Sequence, residues 1–245
     1  MKTVIVIQAR RESTRLPDKV LLDLAGRPML AQQIIRLQQC EAAHEIVVAT
    51  STSDIDRAVV DVARASGVRW FRGDERDVLR RFVGAARECQ AEVVVRTTAD
   101  CPLIDPAVSD RVIRDLIDHA AECDYASNVM RRTYPRGLDT EAFFFDTLVR
   151  MDRLSQSAAS REHVTILPRS ERRELFLTRD VIDDEDNSDL RWTVDTADDL
   201  QLVRTIYEEL GLSERNVSYA DVLAYVRARP SLTLVNAGGH TWSPP

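Results

Sequence analysis

The sequence predicts an α/β fold with a mostly parallel central sheet flanked by helices. Three observations carry this. Short β-branched runs alternate along the chain with segments at helical spacing. Those runs are apolar throughout rather than every second residue, as in strands covered on both faces. The chain has 245 residues, 44% hydrophobic and 30% charged, which suits a globular domain with a sizeable core. Crossovers between parallel strands are expected to be right-handed.

The elements follow in order. Thr3–Ile7 (TVIVI) is a continuous apolar strand, followed by a polar loop from Arg10 to Lys19. Leu30, Ile34, Ile35 and Leu37 recur at helical spacing within Pro28–Cys40. EIVVAT is the second strand. A helix over Asp54–Ala65 follows, with Ser53 as N-cap and Gly67 just past its end. Val68–Arg72 is a short strand, Asp77–Cys89 a helix and Glu92–Thr97 a strand. Pro106 opens a helix reaching about Ala121. The rhythm breaks after residue 124, where DYASN, MRRTYPRG and GLDTEAFFF predict antiparallel strands or an extension. Helices are expected over Thr147–Ser155 and Ser160–Arg169, and strands over ELFLTRD and LRWTVDT, separated by the acidic loop DDEDNSD. Ala197–Leu210 is a helix closed by Gly211, and Tyr219–Arg229 is the last helix, stopped by Pro230. Residues 1–230 are expected to form one domain, with 231–245 as a tail whose end, AGGHTWSPP, is loosely ordered.

Composition excludes several functions. With 33 Lys+Arg against 40 Asp+Glu, the net charge is −7, which argues against nucleic-acid or anionic-membrane binding. No apolar run approaches the ~20 residues that span a bilayer, and MKTVIVIQAR is too short an apolar stretch for a signal-peptide core. Cys40, Cys89, Cys101 and Cys123 are widely spaced without C-x-x-C, so reduced thiols in a cytoplasmic protein are expected. The eight glycines form no G-x-G-x-x-G, no P-loop and no G-x-S-x-G elbow.

Two features carry chemistry. The loop QARRESTRLPDK places Arg10, Arg11, Arg15 and Lys19, with Ser13 and Thr14, at the carboxyl end of the first strand. Ligands bind there in open α/β sheets, and several cations with two hydroxyls suit a triphosphate. Arg11 adjoins Glu12 and ranks below the others; a solvated basic loop is the competing reading. Asp100 ends VVVRTTAD and Asp195 ends LRWTVD, so two carboxylates converge from separate strands as a hard oxygen site for Mg²⁺. Each has a rival explanation. Asp195 could be a helix N-cap, with Thr196 to Asp199 resembling a capping box, and Asp100 could cap a turn before Pro102.

Taken together, ARRESTRLPDK followed by AGRPML resembles the A-R-x-x-S-x-R-x-P-x-K signature of cytidylyltransferases that activate sugar acids, the acylneuraminate and 3-deoxy-manno-octulosonate enzymes among them. RTTADCPLIDP, GLDTEAF, SREHVT and RWTVDTADDL look still closer to the spore-coat polysaccharide branch. The resemblance covers roughly residues 3–210. It implies a Rossmann-like nucleotide-diphospho-sugar transferase fold with a mixed, mostly parallel central sheet flanked by helices. It also implies that Ala9 and Arg10 lie near base and phosphates, that Ser13, Arg15 and Lys19 bind the triphosphate, and that Asp100 and Asp195 hold Mg²⁺. Lys19, Arg15 and Arg10 are thus the catalytic candidates. Asp74 is a weaker nucleotide-site candidate, since it could equally belong to a helix start with Asp77 as N-cap. The family tends to dimerise through the segment that interrupts the sheet, here about 125–170. One departure stands out: many relatives have glycine where Arg11-Glu12 and Asp18 stand here.

An anionic acceptor needs cations in the second half, where Arg136, Arg161 and His163 are the candidates. Arg131 and Arg132 read as solvated, and Gly137 lets the PRGLD turn approach a ligand. The expected reaction is transfer of CMP from CTP to an acidic sugar or related anionic acceptor, with release of pyrophosphate. The rivals are a transferase using another NTP or a phosphorylated or phosphonate acceptor, and a non-catalytic nucleotide binder. A glycosyltransferase is less favoured, because neither D-x-D string, Asp54–Asp56 or Asp184–Asp186, follows a suitable apolar strand.

Overall fold

Apolar residues without interruption make Thr3–Gln8 the central strand β1, with Val4 to Ile7 wholly buried. The computed structural model describes residues 1–236. Around β1 lie β4 (Glu45–Ser51), β5 (Arg69–Gly73), β6 (Val93–Thr98), β7 (Tyr125–Ser127), β8 (Glu141–Phe144) and β9 (Thr178–Asp180). They form a seven-stranded sheet in the order β5-β4-β1-β6-β8-β7-β9, and a small hairpin pairs β2 (Asp23–Leu24) with β3 (Arg27–Pro28). β5, β4, β1 and β6 pair in parallel, while β8 runs antiparallel to both β6 and β7. β9 then pairs in parallel with β7. The mixed sheet arises because residues 125–144 insert β7 and β8 beside β6.

Alternate residues of the strands serve two cores. Ile5, Ile7 and Val95 meet Ile34 of α1 (Met29–Leu37), Val59 of α2 (Arg57–Ala65) and Ile113 of α4 (Pro106–Asp118). Val4, Val6 and Val94 meet Phe82 of α3 (Val78–Glu88) and Leu148 of α5 (Phe145–Leu154). A third cluster gathers Trp192 with α7 (Ala197–Leu210) and α8 (Tyr219–Arg227). From β1 the chain moves outward to β4 and β5, then returns to β6 on β1's other side. The β1/β6 boundary is therefore the topological switch point, where a crevice opens beyond the carboxyl ends of the strands.

Four expectations are corrected. The helix expected over Ser160–Arg169 is α6 (Ala158–His163), ending at Val164 with φ 56°, then a π-helical turn over Leu167–Glu171. Pro168 has no N–H to continue an α-helix. LRWTVDT has the right alternation, with Leu190, Trp192 and Val194 buried, yet it joins no sheet; it makes one bridge, Arg136 to Arg191. Within ELFLTRD only β9 is a strand, preceded by a 3-10 turn over Arg173–Leu175. Pro230 follows the end of α8 but also opens α9 (Pro230–Val235), because proline suits the first helical position. Part of the expected tail is thus helical, and Asn236 donates hydrogen bonds to the Arg191 carbonyl and Asp199. AGGHTWSPP, 237–245, lies outside the described residues.

Candidate active site

The loop after β1 walls a cleft of about 640 Å³ at the switch point, with Arg10, Ser13, Arg15 and Lys19 on it. Its shape is set by a residue that is not glycine. Asp18 adopts the left-handed conformation, φ 58°, which aspartate tolerates better than most residues. Its carboxylate accepts two bonds from the Arg11 guanidinium, at 2.7 and 3.0 Å. The Arg11 N–H donates to Asp56 at 2.8 Å, and buried Asp56 also accepts from Ser51. Arg11 is therefore a brace for the loop, tying it to Asp18 and Asp56. Ser13 Oγ accepts from the Leu16 N–H at 3.4 Å, and Arg10 makes an exposed pair with Glu162 at 3.4 Å.

Lys19 is the centre of the arrangement. Its ammonium donates to Asp195 at 2.9 Å, Asp100 at 3.2 Å and the Val194 carbonyl at 2.9 Å. Arg15 reaches Asp195 at 3.0 Å, and Arg191 reaches it at 2.7 Å. Burial favours the neutral form of the Asp195 carboxyl, but Lys19, Arg191 and Arg15 outweigh it and bring its pKa down to about 2. Burial likewise opposes the charged Lys19, and Asp100 with Asp195 outweighs it and raises its pKa. All three groups are set by backbone geometry. Asp100 lies two residues beyond β6, its carboxylate accepting from Thr98 at 2.6 Å, and its carbonyl accepts from the Val194 N–H at 2.8 Å. The capping box is present, but it uses Thr196 and Asp199. Asp195, one residue earlier, is left free to face Lys19.

A smaller cavity of about 250 Å³ shares Arg15, Thr98, Asp100 and Asp195 with the cleft. Its other walls include Arg96, Arg136, Glu141, His163, Arg169 and Arg191. Arg96 of β6 is paired in register with Glu141 of β8; the two form an ion pair, and Arg96 also donates to Gln8 at 3.2 Å. Burial raises the Glu141 pKa, but Arg96 and Arg169 more than offset it and keep the carboxylate ionised. His163 is held below the usual imidazole range by burial and by Arg96, Arg169 and Arg10, against the pull of Glu162.

Lys19, Arg15, Asp100 and Asp195 are thus brought together, with Arg10 and Ser13 in the same cleft and Arg136 and His163 in the adjoining cavity. Three expected residues stand elsewhere. Asp74 is exposed and accepts from the Arg76 and Asp77 N–H groups at 2.8 Å, a turn that starts α3. Arg161 clamps Asp152 and the Asp152 and Ser155 carbonyls. Ala9 is 1% exposed beneath the loop, its N–H donating to Ala49 at 3.2 Å. Arg132 is not a solvated residue either, since it makes a two-point pair with Asp139 at 2.6 and 2.8 Å. Gly137, at φ +111°, makes a close backbone approach: a Cβ there would lie 2.7 Å from the Trp192 carbonyl carbon. Sequence reasoning missed Gln8, Arg96, Glu141, Arg169 and Arg191. The one available signal was charge inside apolar strand runs, Arg96 in VVVRTT and Glu141 in EAFFF.

A switch-point cleft with a basic loop, and a lysine held between two carboxylates, defines an enzyme of the nucleotidyltransferase class. Residues 4–211 match the family model for cytidylyltransferases, and the chain belongs to that family. It is 32% identical over 239 residues to the uncharacterized protein MJ1063 of Methanocaldococcus jannaschii, covering 97% of this chain and 95% of that one. It is 28% identical over 235 residues to the spore coat polysaccharide biosynthesis protein SpsF of Bacillus subtilis (93% and 95%). A 3-deoxy-manno-octulosonate cytidylyltransferase of Chloroherpeton thalassium is 33% identical over 123 residues, 49% of this chain and 48% of its own. Among solved structures, a cytidylyltransferase from Leptospira borgpetersenii superposes with a TM-score of 0.90 at 29% identity, covering 100% of both chains.

Proposed function

We propose that this enzyme transfers CMP from CTP to a hydroxyl of an acidic sugar or related anionic acceptor, releasing pyrophosphate, in the biosynthesis of a surface polysaccharide or glycoconjugate. The observation that carries the reading is Lys19 between Asp100 and Asp195, at the boundary shared by a cleft with a basic loop and a cavity lined by arginines. Arg10, Ser13, Arg15 and Lys19 hold the triphosphate. The acceptor, drawn in by Arg136 and Arg169, presents its hydroxyl oxygen at the shared boundary. An oxygen–phosphorus bond forms at the α-phosphate as the hydroxyl gives up its proton to solvent, the bond to the β-phosphate oxygen breaks, and pyrophosphate leaves. Positioning and fixed charge do most of the work in such transfers.

Asp100 and Asp195 would hold Mg²⁺. They fit it: both are hard oxygen donors, and Asp195 remains ionised down to about pH 2. Both line the open cleft. Among the described residues no group of three or more His, Cys, Asp or Glu could hold a metal. Two carboxylates with waters and substrate phosphates are the usual Mg²⁺ set, in place of an all-protein cage. When bound, the ion neutralises phosphate charge and polarises the reacting oxygens.

The reading extends to a cytoplasmic homodimer built through residues 125–170. Exposed Leu175 and Leu177, just beyond that segment, support it. The test of the activity is pyrophosphate release from CTP and Mg²⁺ with a panel of sugar acids. Release that requires both CTP and one acid class is expected. Tight CTP binding without release for any sugar acid or phosphonate would leave a nucleotide-binding protein instead.

A further inference from the structure

The arginines of the acceptor cavity belong to a longer basic track. Arg136 and Arg169 line the 250 Å³ cavity and also a second one of about 540 Å³. There they are joined by Arg131, Arg132 and Arg173, with Asp180 as the acidic side chain of the wall. Five guanidinium groups converge on this cavity in a chain of net charge −7.

Their pairing is uneven. Arg132 is neutralised by Asp139, and in the first cavity Arg96 and Arg191 are neutralised by Glu141, Asp195 and Asp199. Among the described residues, the side chains of Arg131, Arg136 and Arg173 make no ion pair within 4.0 Å, and Arg169 makes none either, although Glu141, Tyr125 and Asp139 outweigh its burial and raise its pKa. Arg136 is half-buried, and its pKa is lowered by burial and then by Arg132, Arg191 and Arg169, with Asp139 pulling the other way. A desolvated cation facing like charges is costly unless an anion arrives. One carboxylate on an acceptor answers one of these charges. Four guanidinium groups, spread over two cavities that share two of them, fit a ligand with anionic groups at two places. Their planar forks match the oxygens of phosphate or carboxylate.

We infer that the second cavity is an oxyanion subsite, taking a phosphate-class group borne by the acceptor itself, so that the acceptor is a sugar acid with a second anionic substituent. This rests on the first cavity being the acceptor's, as proposed above. Arg136 and Arg169 then stand between the two anionic groups, and Arg131 and Arg173 close on the outer one.

The test is calorimetric titration of the full chain with inorganic phosphate, in the presence of saturating CTP and Mg²⁺ so that the first cleft is filled. Phosphate is expected to bind. In the double variant Arg131→Gln/Arg173→Gln, both positions being exposed, its affinity is expected to fall about tenfold or more while CTP affinity is unchanged; ten-fold is the loss of about one charge-assisted contact. Absence of phosphate binding, or equal binding by the variant, overturns the subsite and leaves the arginines to another partner, such as an acidic protein surface. Failure of CTP to bind the wild type overturns the reading of the first cleft instead. The source of the oxyanion is read by titrating 3-deoxy-manno-octulosonate and its 8-phosphate: at least tenfold tighter binding of the ester, erased in the double variant, is expected. Equal affinities assign the subsite to a free anion and overturn the dianionic acceptor.

Discussion

Lys19 stands where three charges must coexist. Its ammonium neutralises two carboxylates that would otherwise repel each other a few ångströms apart, and all three side chains are at most about a quarter exposed. Replacing it with alanine leaves Asp100 and Asp195 facing one another. The expected cost is about 2 kcal/mol of stability, below the range for a fully buried pair. The expected loss of turnover is about 10²–10³-fold, by analogy with removal of one preorganised donor. Denaturant titration and pyrophosphate release measure the two. Near-normal turnover in Lys19→Ala would remove Lys19 from the catalytic group. The pH dependence has a definite sign. The Asp195 pKa falls from 3.8 to about 2 on folding. Its contribution, about 2 kcal/mol from that shift, is present above the unfolded value and is lost as pH falls through the folded one. The Lys19 pKa is raised, so its contribution is present below the unfolded value and is lost as pH rises through the folded one. Asp195 and Lys19 therefore both keep their charges across the neutral range. Stability differences between wild type and Asp195→Asn should be flat from pH 5 to 8 and shrink only toward pH 2.

Two connecting segments fix this geometry. The loop after β1 owes its form to Asp18 in the left-handed region and to the Arg11 brace. Asp18→Val loses both and should lower Tm, since a β-branched residue tolerates that conformation poorly. CTP affinity should fall with it. The turn at Gly137 presses on the backbone of Trp192 and Thr193, and Asp195 follows two residues later. Gly137→Ala puts a methyl group into that backbone at φ +111°. It should lower Tm and weaken CTP and metal binding together, which thermal melts with and without ligand would show. Preserved melting and binding would contradict this coupling. These segments also show what was legible beforehand. Asp100 and Asp195 could be read because each lies within two residues of a strand end or a helix start, and Arg15 and Lys19 because they gather with other cations in the loop beyond the first strand, where open α/β sheets bind ligands. Arg96 and Glu141 could not, because their pairing is 45 residues apart and depends on β8 reversing direction beside β6. Arg161 looked like an acceptor cation from its position, but its carboxylate partners, Asp152 and Asp77, come from α5 and the N-cap of α3. LRWTVDT alternates as a strand does; the alternation instead puts Trp192 into the core and Arg191, Thr193 and Asp195 against the cavity.

Across the molecule, the cleft proposed for the nucleotide is built from early segments and the cavity proposed for the acceptor largely from late ones. Arg10 to Asp100 wall most of the cleft, while residues 136–195 supply most of the cavity. This division explains why the nucleotide could be proposed from sequence and the acceptor only by its charge. If the expected dimer forms through 125–170, light scattering after gel filtration should give twice the 27.7 kDa of the chain, and Leu177→Arg, at an exposed apolar position, should weaken it. A monomer at micromolar concentration would contradict it. The most direct measurement is thermal unfolding with each of the four nucleoside triphosphates, with and without Mg²⁺, because a ligand that binds the folded state raises its Tm by mass action. The largest increase is expected for CTP, and only with Mg²⁺. Equal shifts for all four triphosphates, or none with CTP and Mg²⁺, would contradict the assignment of the Arg10–Lys19 cleft as a magnesium–CTP site.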